Sequence, residues 1–429
     1  MPSVLVLYHY LYPDDVVSSI HISELCAGLA ERGWQVTAVS CNRGCRDESK
    51  TYDSTTWKGV EIRRVWRPRF RQASKLGRLM NASWMIARWS LLACSPRLKP
   101  DAVIIGTDPI LGVFAAIPWK RIRGIVVAHW CFDLYPEGAI AAGVLAPRSR
   151  LVTVLTKMTA AAYRHCDLIV DLGECMRQRL GKYNAAARQS TILPWALVEP
   201  TAPAPVNFQE RHRIFDGAGL ALLYSGNFGL AHEWRGTLAL ARKLRDTGTK
   251  LVFSVRGNQE GALRSSVTSA DTNIDFAPFA SEAQLAARLS SADVHVVSLR
   301  ESWTGTVVPS KFFGALAIGR PVLFEGSEDC SIAGWIREYR VGWVLGPNNV
   351  DAVAAELLGL AESPEQMSEL RRRCHALYRQ KFSRSHGIHE WDEALRLVTS
   401  STVEHVRELA PSVPKPVRQV DLPTGGPPQ

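Results

Sequence analysis

The sequence predicts an α/β protein made of two doubly wound halves. Three observations carry that expectation. Short apolar runs such as Val4 to Tyr8 recur along the chain and suit buried parallel strands. Helical patterns lie between them, which is the β-α-β order of a parallel sheet. A proline- and alanine-rich segment, Glu199 to Phe208, divides the runs into two sets. At 429 residues the chain is also too long for one small core.

The first half opens with the strand Val4 to Tyr8 and a loop holding Pro13, Asp14 and Asp15. Ser18 or Ser19 is expected to cap a helix that runs to about Arg32, with Ile22, Leu25, Cys26 and Leu29 on one face. Gly33 stops it, and Trp34 to Ser40 alternates as a second strand. No G-x-G-x-x-G follows the first strand, so a dinucleotide fingerprint is absent. Arg43 to Arg78 is the most basic region, and Ser74 to Leu92 reads as a helix bearing Trp84 and Trp89. Ala102 to Ile105, Gly124 to His129, Asp167 to Asp171 and Thr191 to Pro194 read as further strands.

The second half begins with the strand Ala221 to Tyr224 and a tight turn, Ser225 to Gly229. A helix from about Glu233 to Thr247, a strand at Leu251 to Val255, a helix near Glu282 to Ser291 and a strand at Asp293 to Leu299 follow. The stretch Val307 to Glu325, VVPSKFFGALAIGRPVLFE, then gives a short apolar helix between Ser310 and Gly319 and a buried strand. Helices near Val350 to Ala361, Glu365 to Phe382 and Ser385 to Thr399 close the chain. The expected division is a first domain over 1–195, a linker over 196–213, a second domain over 214–384, and a last helix over 385–400 that returns to the first domain. The proline- and glycine-rich tail, 411–429, is expected to be disordered.

The formal net charge of +10 favours anionic partners, among them phosphates, nucleic acid or an acidic membrane surface. No nucleic-acid module is recognisable, and nucleic-acid binding is not expected. No run of eighteen apolar residues suggests a membrane span, and the N-terminus reads as a strand and not as a signal peptide. Nine scattered cysteines without a metal-ligand spacing fit reduced thiols, a cytoplasmic location and no metal site.

Several residues stand where chemistry is expected. Ser310 reads as an N-cap, which places Lys311 in the first turn of its helix, a setting for a phosphate. Glycines at Gly226, Gly229 and Gly305 allow backbone to approach a ligand closely. His129, Asp133 and Glu137 follow the carboxyl end of one strand, in HWCFDLYPE, where open α/β sheets bind ligands. Arg67, Arg69 and Arg71 beside Trp84 form a basic, apolar surface suited to an anionic membrane.

The order of elements, the YSGNFG turn and GTVVPSKFFGALAIGRPV resemble glycosyltransferase family 4, over about residues 1 to 400. FDLYPE is similar to the DLWPE stretch of bacterial members that build surface polysaccharides. The resemblance implies the GT-B fold, in which two Rossmann-like domains face each other across a cleft. It implies transfer with retention of configuration from a nucleoside diphosphate sugar to a saccharide or lipid-linked acceptor. No metal or other cofactor is implied, and a peripheral place at the inner face of the cytoplasmic membrane is. The expected catalytic residues are Asp133, His129 and Lys311. The expected donor-binding residues are Gly226, Asn227, Gly229, Arg256, Gly305, Thr306, Ser310, Lys311 and Glu325. This chain departs from the family pattern in three places. LYPDDVVSS stands where a glycine pair is common, Asn227 and Phe228 where an arginine is common, and Thr306 and Gly314 where two glutamates are common. A nucleotide-sugar epimerase and a non-catalytic partner subunit are the alternative readings.

Overall fold

Fourteen strands form two separate sheets in the computed structural model, which describes residues 1–72, 74–183 and 185–409, with side chains to residue 400. The tail expected to be disordered, 411–429, lies outside the described residues. The first sheet holds β1 (Ser3–Leu7), β2 (Gln35–Cys41), β3 (Thr55–Trp57), β4 (Val60–Val65), β5 (Ala102–Gly106), β6 (Val126–Trp130), β7 (Leu168–Asp171) and β8 (Arg188–Thr191). Its order is β3-β4-β2-β1-β5-β6-β7-β8, parallel except for the β3–β4 hairpin. The second holds β9 (Leu220–Asn227), β10 (Thr249–Arg256), β11 (Ile274–Phe276), β12 (Val294–Ser298), β13 (Val322–Glu325) and β14 (Gly342–Leu345). Its order is β11-β10-β9-β12-β13-β14, parallel throughout.

The central strands are apolar on both faces because helices cover both faces of each sheet. Val4 to Leu7, all of β5 and all of β6 are buried. Helix Val17–Glu31 buries Ile22, Leu25, Cys26 and Leu29 as its spacing predicts. Its expected serine cap is not used: Ser19 Oγ donates instead to the Asp14 carbonyl at 3.2 Å, and the helix starts without a side-chain cap. The β3–β4 hairpin was hidden in the basic region. Val60 and Ile62 point inward and Glu61 and Arg63 outward, around a turn with positive φ at Lys58 and Gly59.

The expected linker, 196–213, is partly helical. Asn207 Oδ1 accepts from the Glu210 N–H at 2.9 Å and starts helix Phe208–Phe215, which buries Ile214 and Phe215 against the second sheet. The turn after β9 also differs from expectation: the strand continues through Gly226 and Asn227, which pair with Val255 and Arg256. The chain crosses back to the first domain in helix Arg384–Leu409. There Trp34 Nε1 donates to Asp392 Oδ1 at 2.7 Å, Trp391 meets Trp130 at 5.2 Å, and Ile388 lies against Gly28. The two crossings are tied together: the Ala196 N–H donates to Tyr378 Oη at 2.9 Å, and the Arg384 N–H to Glu199 Oε1 at 2.8 Å.

Candidate active site

A cavity of about 530 Å³ lies between the two domains. From the first domain it is lined by Asp15, His21 and Arg46, and from the second by Gly226, Asn227, Arg256, Phe279, Ser310, Lys311 and Gly314. Lys311 opens helix Lys311–Ala317, whose Phe312, Phe313, Ala315 and Leu316 are buried and fix its orientation. The lysine stem runs over Gly226, where a Cβ would stand 2.7 Å from Lys311 Cε. Its ammonium lies 5.3 Å from the Tyr224 ring centroid. Among the described residues no carboxylate is within ion-pair distance of Lys311. Burial holds its pKa down, from 10.5 to about 8. The site therefore presents a cation with unused donors to whatever fills the cavity.

Ser310 does not cap this helix. Its own backbone is already helical (φ −63°, ψ −16°), so Oγ is not placed to accept from the first turn. With only seven residues, the helix adds little dipole of its own. Arg256 stands at the end of β10, stacked 4.0 Å over the Phe279 ring, and its Nε donates to Asn227 Oδ1 at 3.2 Å. Arg256, Asn227, Gly226, Ser310 and Lys311 thus line one cavity. Gly229 lies just beyond them, outside the cavity lining.

His129 and Asp133 sit elsewhere. They line a separate pocket of about 10 Å³ in the first domain, with Thr107 and Tyr135. His129 Nδ1 donates to the Ile105 carbonyl at 2.8 Å. Burial lowers its pKa to about 4, so the ring is neutral and Nε2 is left as an acceptor. Asp133 is pushed up to about 6 by burial and by the nearby Asp108. Neither residue lines the larger cavity, so the structure does not place them around one common volume with Lys311. Glu137 is also committed, accepting from Tyr183 Oη at 2.6 Å and pairing with Lys182.

Residues 18–195 match the model of the Glycosyl transferase 4-like domain. A probable glycosyltransferase of Pseudomonas aeruginosa, WbjE, is 26% identical over 298 residues, 67% of this chain and 72% of its own length. A putative colanic acid biosynthesis glycosyl transferase of Escherichia coli K12, WcaI, is 26% identical over 271 residues, 59% of this chain and 65% of its own length. The chain is similar to glycosyltransferases of family 4. Its fold is GT-B: sucrose-phosphate synthase from Thermosynechococcus elongatus superposes with a TM-score of 0.72 at 12% identity, over 94% of this chain and 100% of the other. HepE of Anabaena, solved in complex with UDP and glucose, superposes with a TM-score of 0.61 at 11% identity, over 95% and 100%.

Three of the expected donor residues have other placements. Glu325 does not line the cavity. Its carboxylate accepts from the Gly236 and Thr237 N–H groups at 2.7 and 3.0 Å and from Thr237 Oγ1 at 2.6 Å, so it caps helix Arg235–Lys243. Gly305 and Thr306 belong to the contact between the domains. A Cβ on Gly305 would meet the Cys175 carbonyl at 2.3 Å, and the Thr306 carbonyl accepts from the Leu134 N–H at 3.1 Å. On the expected membrane surface, Arg69 and Arg71 are exposed and Trp84 is 38% exposed, but Arg67 is fully buried and faces inward. The sequence reading missed Phe279 and His21. Phe279 lies in the loop after β11, just before a capping box of Ser281 and Gln284. That S-x-x-Q spacing was the available signal. His21 sits on an apolar helical face and carried none.

Proposed function

We propose that the protein is a family 4 glycosyltransferase that moves a sugar, with retention of anomeric configuration, from a nucleoside diphosphate sugar in the interdomain cleft to a saccharide or lipid-linked saccharide, in polysaccharide biosynthesis. The observation that carries the reading is Lys311, a cation without a carboxylate partner among the described residues, in the cavity of about 530 Å³ beside Gly226. As the anomeric C–O bond to the diphosphate breaks, negative charge grows on the leaving oxygens. Lys311 meets it there, with Arg256 as a second cation, and such contacts strengthen toward the transition state. The acceptor hydroxyl forms the new bond to the anomeric carbon, and its proton passes to the departing phosphate. His129 and Asp133 line a separate pocket of about 10 Å³ outside this cavity and take no direct part in the transfer in this reading. No metal ion takes part in this reading. That HepE binds UDP and glucose in the same fold supports a uridine nucleotide as the first donor to try.

The exposed Arg63, Arg69 and Arg71, with Trp66, Phe70 and Trp84, support peripheral contact with the anionic inner face of a cytoplasmic membrane. A panel of sugar nucleotides is screened for thermal stabilisation, and the product of the best donor is analysed by NMR. Stabilisation by none, or an inverted linkage, refutes the donor site or the retention. Flotation with anionic vesicles is expected to weaken when Arg69 and Arg71 become glutamate; unchanged flotation refutes the surface.

A further inference from the structure

The contact between the domains at Gly305 holds a pair of cysteines, one from each domain. Helix Glu174–Gly181 of the first domain meets the loop after β12 and the start of helix Ser331–Tyr339 of the second. Arg179 Nε donates to the Thr304 carbonyl there, and the Cys175 N–H donates to Ser331 Oγ at 3.2 Å. Cys175 Sγ lies 3.0 Å from the same hydroxyl. Cys330 directly precedes Ser331, and its thiol is within hydrogen-bond reach of the Cys175 sulfur. The approach is close: a Cβ on Gly173 would stand 2.6 Å from Ser331 Oγ.

Both cysteines are free thiols, and they are 7% and 1% exposed. Burial in apolar surroundings makes a thiol inert. Cys175 departs from that rule. The hydrogen bond from Cys330, with another from the Ser331 hydroxyl, outweighs burial and holds its pKa down to about 6. Cys330 is the donor of that bond, which pushes its own pKa up and keeps its proton on. One sulfur is thus a nucleophile and its neighbour a resolving thiol, the arrangement that sulfenic acid chemistry needs. Small molecules have a route to the pair. An open cavity of about 670 Å³ is lined by Gly173, Glu174 and Ser331, the residues that flank both sulfurs.

We propose that Cys175 and Cys330 are a redox modification site, at which hydrogen peroxide forms a disulfide that ties the first domain to the second. The Cys175 thiolate attacks one peroxide oxygen, the O–O bond breaks, and the departing hydroxide takes a proton from solvent to leave as water. Cys175 then carries a sulfenic acid. The Cys330 sulfur displaces its hydroxyl, which leaves as a second water with the Cys330 proton, and the S–S bond forms. The two thiols lose two electrons and the peroxide gains them. The bond fixes helix Glu174–Gly181 on the start of helix Ser331–Tyr339. Thr304 and Thr306, which lead into Lys311, lie in the same contact. With that contact closed covalently, the domains no longer part, and exchange of ligands through the cleft between them is slowed. The effect on turnover rests on the proposed function; the disulfide and the tie between domains do not.

The reduced full-length protein is treated with hydrogen peroxide, its remaining thiols are alkylated, and its peptides are mapped by mass spectrometry. The peptide bearing Cys175 is expected to be joined to the peptide bearing Cys330 within one chain, and dithiothreitol is expected to part them. In Cys330→Ser the sulfenic acid at Cys175 is expected to persist and to be trapped by dimedone; in Cys175→Ser, Cys330 is expected to stay a thiol. A parent map without the link, or with Cys175 joined to a different cysteine, overturns the site even if neither variant folds. The tie is read by hydrogen exchange at Leu134, whose N–H donates across the same contact to the Thr306 carbonyl at 3.1 Å. Oxidation is expected to slow that exchange at least about 10-fold, since the amide opens only when the domains part. A formed link with unchanged exchange overturns the tie. Sugar transfer is expected to fall on oxidation and to return on reduction. A reduced protein that transfers no sugar from any nucleotide donor counts against the proposed function alone, because the link and the exchange are read without it.

Discussion

Replacing Lys311 with alanine separates what the lysine does for the fold from what it does for the reaction. Burial lowers its pKa from 10.5 to about 8, which corresponds to about 3 kcal/mol held against the charged form. The side chain is partly exposed, so solvent screening leaves about 1–2 kcal/mol of that cost. Removing the charge returns it. Against this stand the loss of the contact with the Tyr224 ring, worth about 0.5–1 kcal/mol, and of the methylenes packed on Gly226, worth about 0.8 kcal/mol each when fully buried. The opposing contributions nearly cancel, and the melting temperature is expected to move by no more than about 4 °C. Turnover is different, because on the proposed reading the leaving diphosphate loses a stabilising cation at the moment it needs it. A fall of about 100-fold or more is expected in kcat. The assay is sugar transfer by the purified variant alongside its thermal melt. A folded variant with near-parental turnover would refute the role given to Lys311.

Gly226→Ala is expected to cost about 1–3 kcal/mol and to lower turnover by displacing Lys311, because Gly226 has φ of 133° and an added Cβ stands 2.7 Å from Lys311 Cε; melting and turnover that both match the parent count against the packing described. The donor kcat/KM is expected to fall as pH rises through about 8, since the competent form of Lys311 is its cation and the free enzyme loses it there; a flat profile from pH 7 to 10 contradicts this. Glu325→Ala is expected to lower stability by about 2–3 kcal/mol with little change in donor KM, as it strands two helix-start N–H groups; a raised KM at unchanged melting would instead make Glu325 a ligand.

The two-domain α/β plan was legible because buried parallel strands are short and apolar. β5 and β6 stand out for that reason, and Gly319 marks a helix end that does carry positive φ, at 73°. The β3–β4 hairpin was not legible, because a strand with one solvated face can be rich in arginine, as β4 is. The cluster of Gly226, Arg256 and Lys311 was legible from strand ends and a helix start. The fate of Glu325 was not: its partners, Gly236 and Thr237, lie nearly ninety positions away in the chain. Arg67 shows the same limit from the other side. Composition placed it in a solvated basic surface, yet its side chain turns inward while its neighbours turn out, a choice made by the pinned backbone at Asn42 and Arg43. Arg320 behaves likewise, fully buried with its guanidinium donating to the Ala292, Ser290 and Ala204 carbonyls.

The return of the last helix bears on how this protein is made. The first domain takes Ile388, Trp391 and Leu395 into its own core, and Trp34 Nε1 donates to Asp392. A ribosome delivers those residues after the whole of the second domain. At ~5–20 residues per second, the roughly 200 residues between Trp195 and Leu395 take roughly 10–40 s to emerge. During that interval the nascent first domain exposes Gly28, Trp130 and the face around them, which are apolar and uncovered. The second domain, whose sheet is complete within residues 220–345, is positioned to fold before the domain that precedes it. Holdase chaperones therefore have a defined patch and a defined window in which to act on this chain.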